Sequence, residues 1–245
     1  METTLKEGID LESIMKILKK SMPKDLFEHS VATYNYSLML LNTHISGENV
    51  KEQKENPEEN PKKKKVNINN INNIKNIDDF KKNIRGIDVN KVFNKTLAAA
   101  LLHDYGKIFS YNEILKIIEK NNLKIPSFEK NNPKIIHSFI APFLLKRDFN
   151  IYDNVVLSAV KKHTIGAREM NIVDKIIYIS DKLEPTRNYD DIDYLRKLSK
   201  EDFNLCLLEV YKSNIIYVIS KNYLLHPDTS KIWNNICGGF KNATR

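Results

Sequence analysis

The sequence predicts an all-α chain, a helical bundle interrupted by one low-complexity insertion. Three observations carry this. Apolar residues recur at helical spacings, as in Phe27, Val31, Tyr34, Leu38 and Leu41, which alternate in steps of four and three. No stretch alternates apolar and polar residues as a half-buried strand does, and no glycine-rich phosphate loop is present, which excludes Rossmann and P-loop proteins. Glu48 to Lys65 is nearly all Glu, Asn, Lys, Pro and Gln, and Val66 to Ile77 is an Asn/Ile tract whose isoleucines recur every three residues. That period fits neither a strand nor a lasting helical face.

The elements follow in order. Phe27 to Leu41 is an early helix with one apolar stripe. Residues 46–90 are an insertion whose composition buries too little apolar area to offset the entropy of ordering, so a flexible segment is expected. Val92 to Leu102 is an apolar helix stopped by Gly106. Asn132-Pro133 reads as a helix start, with an asparagine cap and proline in the first turn. That helix runs through His137 toward Leu145, and Pro142 is expected to kink it. Val155, Val156, Ala159 and Val160 precede His163. Ile172, Val173, Ile176, Ile177 and Ile179 precede Asp181, and Pro185 closes their helix. Phe203 to Leu225 is a late bundle helix with a broad apolar face.

Composition bounds the function. A chain of 245 residues with 41% hydrophobic residues has room for a real core. No apolar run is long enough for a membrane span, and the first residues lack a signal peptide's basic start and apolar body. Cys206 and Cys237 are far apart and make neither a metal motif nor a disulfide framework, so a reducing cytoplasm is the expected home. The net charge is +8; residues 46–90 hold ten Lys/Arg against eight Asp/Glu, which leaves +6 spread over many helical faces. Without an arginine-rich stripe or interleaved aromatics, this argues against a nucleic-acid partner, whereas a polyanionic nucleotide would be attracted. The alternative, RNA binding by Lys62-Lys63-Lys64-Lys65, rests on that charge run alone.

The chemistry concentrates at His103-Asp104, where three alanines and two leucines lead straight into two metal-ligand side chains. A buried imidazole and carboxylate are costly unless paired or metal-bound. Adjacent helical residues point about 100° apart, so the pair converges on one ion only near a helix end, and Gly106 is expected to give the backbone that freedom. His29, His137 and His163 occupy comparable positions in or at the end of apolar helices, as does Asp181. A satisfied polar cluster is the alternative for each one separately. His44 reads as a solvated helix end, and His226 as a loop residue with no role. Imidazole and carboxylate together suit iron, manganese, cobalt or zinc, and the lack of cysteines argues against structural zinc.

The order of these residues resembles the HD-domain metal-dependent phosphohydrolases, and more narrowly the YqeK-type symmetrical bis(5′-nucleosyl)-tetraphosphatases. The resembling stretches are Ala98 to Lys107, Ile136-His137-Ser138, Val160 to Gly166 with its His-Thr-x-Gly, and Lys175 to Arg187 with its Asp-x-x-Glu-Pro-x-Arg. The similarity covers about residues 11–44 and 91–220. It implies one HD domain over 1–245, with 46–90 as an insertion within it.

The resemblance also implies a set of roles. His29, His103, Asp104 and Asp181 would hold an iron-type ion, iron or manganese, with a second metal left open. Lys107, His137, His163 and Arg187 would face the nucleotide phosphates, with His29 and Thr164 also at the substrate. Asp104 would orient or deprotonate a water, Lys107 would neutralise phosphate charge, and His137 or His163 would protonate the leaving oxygen. For Arg187 an ion pair to Asp190 or Asp191 is the competing reading, and for Lys107 a helix C-terminal lysine. The implied reaction is hydrolysis of diadenosine tetraphosphate to two ADP, with a homodimer as the implied assembly. Another HD phosphohydrolase activity, on nucleotides or guanosine polyphosphates, and an inactive nucleotide-binding regulator are the alternatives. Two departures stand out: the insertion between His29 and His103, and Ser180 where the family usually has alanine.

Overall fold

The computed structural model of the protein describes residues 9–46 and 89–243. Among them are eleven α-helices and no strand, as the periodicities predict. They are α1 (Leu11–Ser21), α2 (Lys24–Leu41), α3 (Val89–Leu102), α4 (Tyr111–Lys120), α5 (Ser127–Lys130) and α6 (Ile136–Phe149). There follow α7 (Asn154–Lys162), α8 (Ile172–Leu183), α9 (Ile192–Glu201), α10 (Phe203–Ser220) and α11 (Thr229–Ala243). A π-helical turn, Asn42–Ser46, extends α2, and a 3₁₀ turn, Tyr105–Ile108, follows α3. No helix among the described residues is long and apolar enough to cross a membrane. The expected insertion, 46–90, lies outside the described residues except at its edges, where Val89 and Asn90 already belong to α3.

Local chemistry explains most helix starts. Asp10, Asp153 and Asp202 accept backbone N–H groups at the starts of α1, α7 and α10, and Ser110 and Asn171 form capping boxes with Glu113 and Asp174. The predicted start at Asn132-Pro133 is displaced. Asn132 accepts from the Lys134 N–H in a preceding turn, and α6 proper begins at Ile136. Pro142 lies inside α6, as anticipated.

The core is assembled around α3, which packs on α2, α7 and α8. Leu97 to Leu102 are all fully buried, so the second half of α3 is apolar on every side, while Lys91 and Asn94 keep its first half amphipathic. Its neighbour α2 is broader than its predicted stripe. Ser30, Ala32, Thr33, Tyr36, Ser37 and Leu40 are buried alongside Phe27, Val31, Tyr34 and Leu41. Small side chains on the added face let the helices approach closely. The late helix is the opposite case. It stops at Ser220 and buries Cys206, Leu207, Val210 and Tyr211, while Ile216, Tyr217 and Ile219 are more than half exposed.

Candidate metal centre

The turn after α3 makes the centre possible. The helix ends at Leu102, and Asp104 takes φ −101° and ψ 10° before the 3₁₀ turn, so the His103 and Asp104 side chains no longer diverge by a helical step. Gly106 serves this turn differently from the expectation. Its φ is not positive; a Cβ there would lie 2.4 Å from the His137 carbonyl oxygen. Gly106 is therefore required because the start of α6 packs directly onto the turn, which brings His137 to Asp104. Gly166 does take a positive φ, 73°, and its N–H donates to the Lys162 carbonyl at 2.8 Å. That left-handed turn closes α7 and leaves His163 at its C-terminal end.

Six side chains meet in the middle. His29 comes from α2, His103 and Asp104 from the end of α3, His137 from α6, His163 from the end of α7 and Asp181 from α8. The Nε2 atoms of His29 and His103 are 3.0 Å apart, and those of His137 and His163 are 3.2 Å apart. Asp104 lies between the two pairs. Its Oδ2 is 3.4 Å from both His29 and His103, and its Oδ1 is 3.3 Å from both His137 and His163. Asp181 Oδ1 closes the first pair at 3.1 Å from His29 and 3.7 Å from His103. One ligand atom each from His29, His103 and Asp181 lies within 4.8 Å of the others, as do those of His103, Asp104 and His163.

The outward hydrogen bonds decide what these rings offer inward. His103 Nδ1 donates to the Ala100 carbonyl and His163 Nδ1 to the Val160 carbonyl, each at 2.7 Å, and His29 Nδ1 donates to Glu184 Oε1 at 3.0 Å. A ring that donates from Nδ1 in its neutral form carries a lone pair on Nε2. Facing lone pairs about 3 Å apart repel unless a cation or proton lies between them. Asp104 Oδ1 is likewise fully buried with no hydrogen bond of good geometry, although two imidazole nitrogens approach it. The same nitrogen–oxygen set, with oriented Nδ1 groups, suits a divalent transition metal. The donors therefore fit such an ion, and the requirement for a metal is met by the residues present.

Electrostatics point the same way. Burial opposes ionisation of Asp104 and Asp181, yet His103, His137 and His163 hold Asp104 well below the usual carboxylate range, and Lys182, His103 and His29 do so for Asp181. Burial lowers His29, but Asp104, Asp181 and Glu184 outweigh it and lift it to about 10. Burial takes His163 down to about 4, with His103 and His137 adding to the effect. The two buried carboxylates are thus held ionised by positive charge around them: against the pull of burial, Asp104 and Asp181 also raise His103, whereas His163 is pushed toward the neutral form.

Cationic side chains stand around it. Lys107 Nζ donates to Asp104 Oδ2 at 2.7 Å and its side chain is 41% exposed. Arg187 donates from Nε to the Asp181 carbonyl at 2.8 Å and from Nη2 to Asp181 Oδ1 at 2.5 Å. Its partner is thus within the cluster, not Asp190 or Asp191. Thr164 meets Ser138, hydroxyl to hydroxyl, at 2.9 Å. Lys107, His137, His163, Thr164, Asp181 and Arg187 all open onto one cavity of about 940 Å³.

Two residues with no assigned role belong here as well. Glu184 orients His29 and accepts from the Thr186 N–H, and Lys182 donates to the His163 carbonyl at 2.8 Å. Both lie in the Asp-x-x-Glu-Pro-x-Arg stretch, which was the available signal. Two histidines are also less idle than their sequence context suggests. His44 contacts the Ser199 carbonyl and the Phe203 ring, and His226 pairs with Glu129 Oε1 at 3.0 Å.

Comparison with known proteins agrees with this geometry. The HD domain family profile matches residues 85–186. The chain is 30% identical over 145 residues to a Bacillus subtilis protein named bis(5′-nucleosyl)-tetraphosphatase, symmetrical, covering 59% of this chain and 77% of that one. A Halalkalibacterium halodurans protein of the same name is 27% identical over 154 residues, 61% of this chain and 82% of the relative. A crystal structure of a predicted HD superfamily hydrolase involved in NAD metabolism, from Clostridium acetobutylicum, shares the fold. It has a TM-score of 0.69 at 23% identity and covers 94% of this chain and 98% of that one. With His103-Asp104 at the centre of a buried His/Asp cluster and these relatives around it, the chain belongs to the HD-domain hydrolases, alongside the symmetrical bis(5′-nucleosyl)-tetraphosphatases.

Proposed function

We propose that the protein hydrolyses diadenosine tetraphosphate symmetrically to two ADP at the His/Asp cluster. One observation carries the reading above the others: six ligand-type side chains from five helices or helix ends meet in one cluster, four of them histidines around Asp104, beside a cavity whose charged lining is mainly cationic. The relatives' names supply the substrate class.

In this reading His29, His103, Asp104 and Asp181 hold a divalent ion of the iron or manganese type. His137 and His163, facing the other oxygen of Asp104 and lining the cavity, form a second half-site from which either ring can protonate the leaving phosphate oxygen. A bound ion supplies Lewis acidity toward phosphoryl oxygens and lowers the pKa of water. The chain's own residues do the rest. Lys107, Lys182 and Arg187 neutralise the polyphosphate as it enters, Arg187 with a planar fork and the lysines as point charges. Asp104 stays ionised and orients, since its two oxygens already serve Lys107 and four imidazoles. Glu184 and the Ala100 and Val160 carbonyls keep the rings in register through Nδ1. Water adds to one of the two central phosphorus atoms, the central anhydride bond breaks, and each half leaves as ADP.

The test is to purify the protein, measure metal per chain, and incubate it separately with diadenosine tetraphosphate and ATP. The reading expects ADP as the sole nucleotide product from the first, and an inactive, metal-poor Asp104→Ala. Bound metal without turnover of any dinucleotide would sink it, and preferred cleavage of ATP would reassign the enzyme to general nucleotide hydrolysis.

A further inference from the structure

The cavity beside the cluster is lined by more than its cationic groups. Phe128, Lys134, Tyr217 and Tyr223 share its lining with Lys107 and Arg187. Tyr217 lies near the end of α10. The chain reverses at Asn222, whose φ is 53°, and the Tyr223 N–H donates to the Val218 carbonyl at 3.0 Å. This fold-back sets Tyr223 edge-on to Tyr217, with ring centroids 6.4 Å apart. The Lys134 ammonium lies 4.2 Å from the centroid of Tyr223, over one face of the ring. Just beyond, His226 bonds Glu129 and packs its ring edge-on to Phe128 at 5.2 Å, tying the returning strap to α5.

The strap holds an apolar surface open to solvent. Tyr217 is 53% exposed, Tyr223 39%, Leu224 77% and Leu225 41%, and all four line the cavity. Single exposed apolar residues need no explanation, but a contiguous group at the mouth of a cavity marks a binding surface. Charge says what it binds. Lys107, Lys134, Lys182 and Arg187 line the cavity against one carboxylate, Asp181. A cavity lined by both cationic groups and aromatic rings suits a ligand with a polyanionic part and a flat π-face, which describes a nucleotide. The volume, about 940 Å³, is at the upper end of the range for a drug-sized ligand.

Resting on the diadenosine tetraphosphate reading above, we propose that Tyr217 and Tyr223, the latter held by Lys134, form the stacking wall for one adenine base, so that one nucleoside half is recognised in the cavity. Lys134 both fixes the Tyr223 ring and places charge along the path of the phosphates. The chemistry at the cluster does not require the wall, so its loss acts on binding and not on turnover.

The experiment uses the full-length, metal-loaded protein and a Tyr217→Ala/Tyr223→Ala double variant, with Tyr223→Trp as the conservative change. Dissociation constants for ADP and for pyrophosphate are measured by calorimetry, beside KM and kcat for diadenosine tetraphosphate. The double variant is expected to weaken ADP binding and raise KM by about 10- to 100-fold, the usual worth of base stacking. Pyrophosphate affinity and kcat should stay within about twofold, and Tyr223→Trp should bind ADP as the wild type does. Equal losses for ADP and pyrophosphate would overturn the proposal by making the wall structural, as would unchanged ADP affinity in the double variant. If the wild type cleaves no dinucleotide yet the double variant loses ADP selectively, the hydrolysis reading fails and the stacking wall stands. If the wild type cleaves diadenosine tetraphosphate but binds ADP no better than pyrophosphate, the wall fails and the hydrolysis reading stands.

Discussion

Gly106 and Ser180 show how much depends on single atoms near the cluster. A Cβ at Gly106 meets backbone oxygen at 2.4 Å, and backbone cannot swing aside as a flexible side chain can. Gly106→Ala is therefore expected to lower stability by about 1–3 kcal/mol and to displace His137, which thermal melting and metal content per chain would register together. Full metal content with an unchanged melting temperature would refute this account of the glycine. Ser180 is the reverse case. It is fully buried, and its hydroxyl has no hydrogen-bond partner. Removing an unsatisfied buried hydroxyl recovers its desolvation cost, so Ser180→Ala should stabilise the protein by about 1 kcal/mol, read as a rise in the urea midpoint at constant m. A fall in the midpoint would mean that the hydroxyl has a partner in solution.

Helix ends carry the functional groups, so helix starts matter through the elements they hold. Asp153 caps α7, accepting from the Val155 and Val156 N–H groups at 2.9 and 3.2 Å and pairing with Lys95 at 2.8 Å. His163 sits at the other end of the same helix. Asp153→Ala is expected to cost about 1–2 kcal/mol while leaving metal content intact, because the ligand end of α7 is held separately by Gly166 and the Val160 carbonyl. The pH dependence has a definite sign. Burial raises the Asp153 pKa, but Lys95 and the backbone N–H groups outweigh it, so the folded value lies below the unfolded one. Its contribution is then complete above about pH 4 and is lost as pH falls through the folded value. The stability gap between wild type and Asp153→Ala should narrow in acid, and a gap that widened there would exclude this assignment.

For the molecule as a whole, the cluster is a source of strain when it lacks positive charge. Four imidazoles and two ionised buried carboxylates, with neighbouring ligand atoms about 3–4 Å apart, gain most from a divalent ion, which the unfolded chain binds poorly. An ion at about 100 times its dissociation constant adds about 2.7 kcal/mol, and each kcal/mol moves the midpoint of a chain this size by about 2–4 °C. Chelation is therefore expected to lower the melting temperature by about 5–10 °C, and added manganese or ferrous ion should restore it. A melting temperature indifferent to chelator, in protein first shown to be metal-loaded, would argue that the six side chains satisfy one another.

The sequence by itself determined the helical class, the run of helices and the identity of the ligand-type residues, because each depends on local periodicity or on a short motif. His103, Asp104 and Asp181 are legible as side chains that an apolar helix has no packing reason to carry. What these residues face was decided by tertiary structure. Asp104 lies between two pairs of histidines because α2, α6 and α7 close around the end of α3, and Arg187 turns inward to Asp181 although Asp190 and Asp191 are nearer in sequence than most of the cluster. Gly106 was legible as a special position, but its reason, the His137 carbonyl, lies on another helix. The aromatic lining of the cavity was hidden for the same reason. Tyr217 and Tyr223 read as part of one long helix, whereas the reversal at Asn222 folds one ring back against the other. Local physics sets which groups a chain carries; only the packing of distant segments sets the distances between them, and the chemistry depends on those distances.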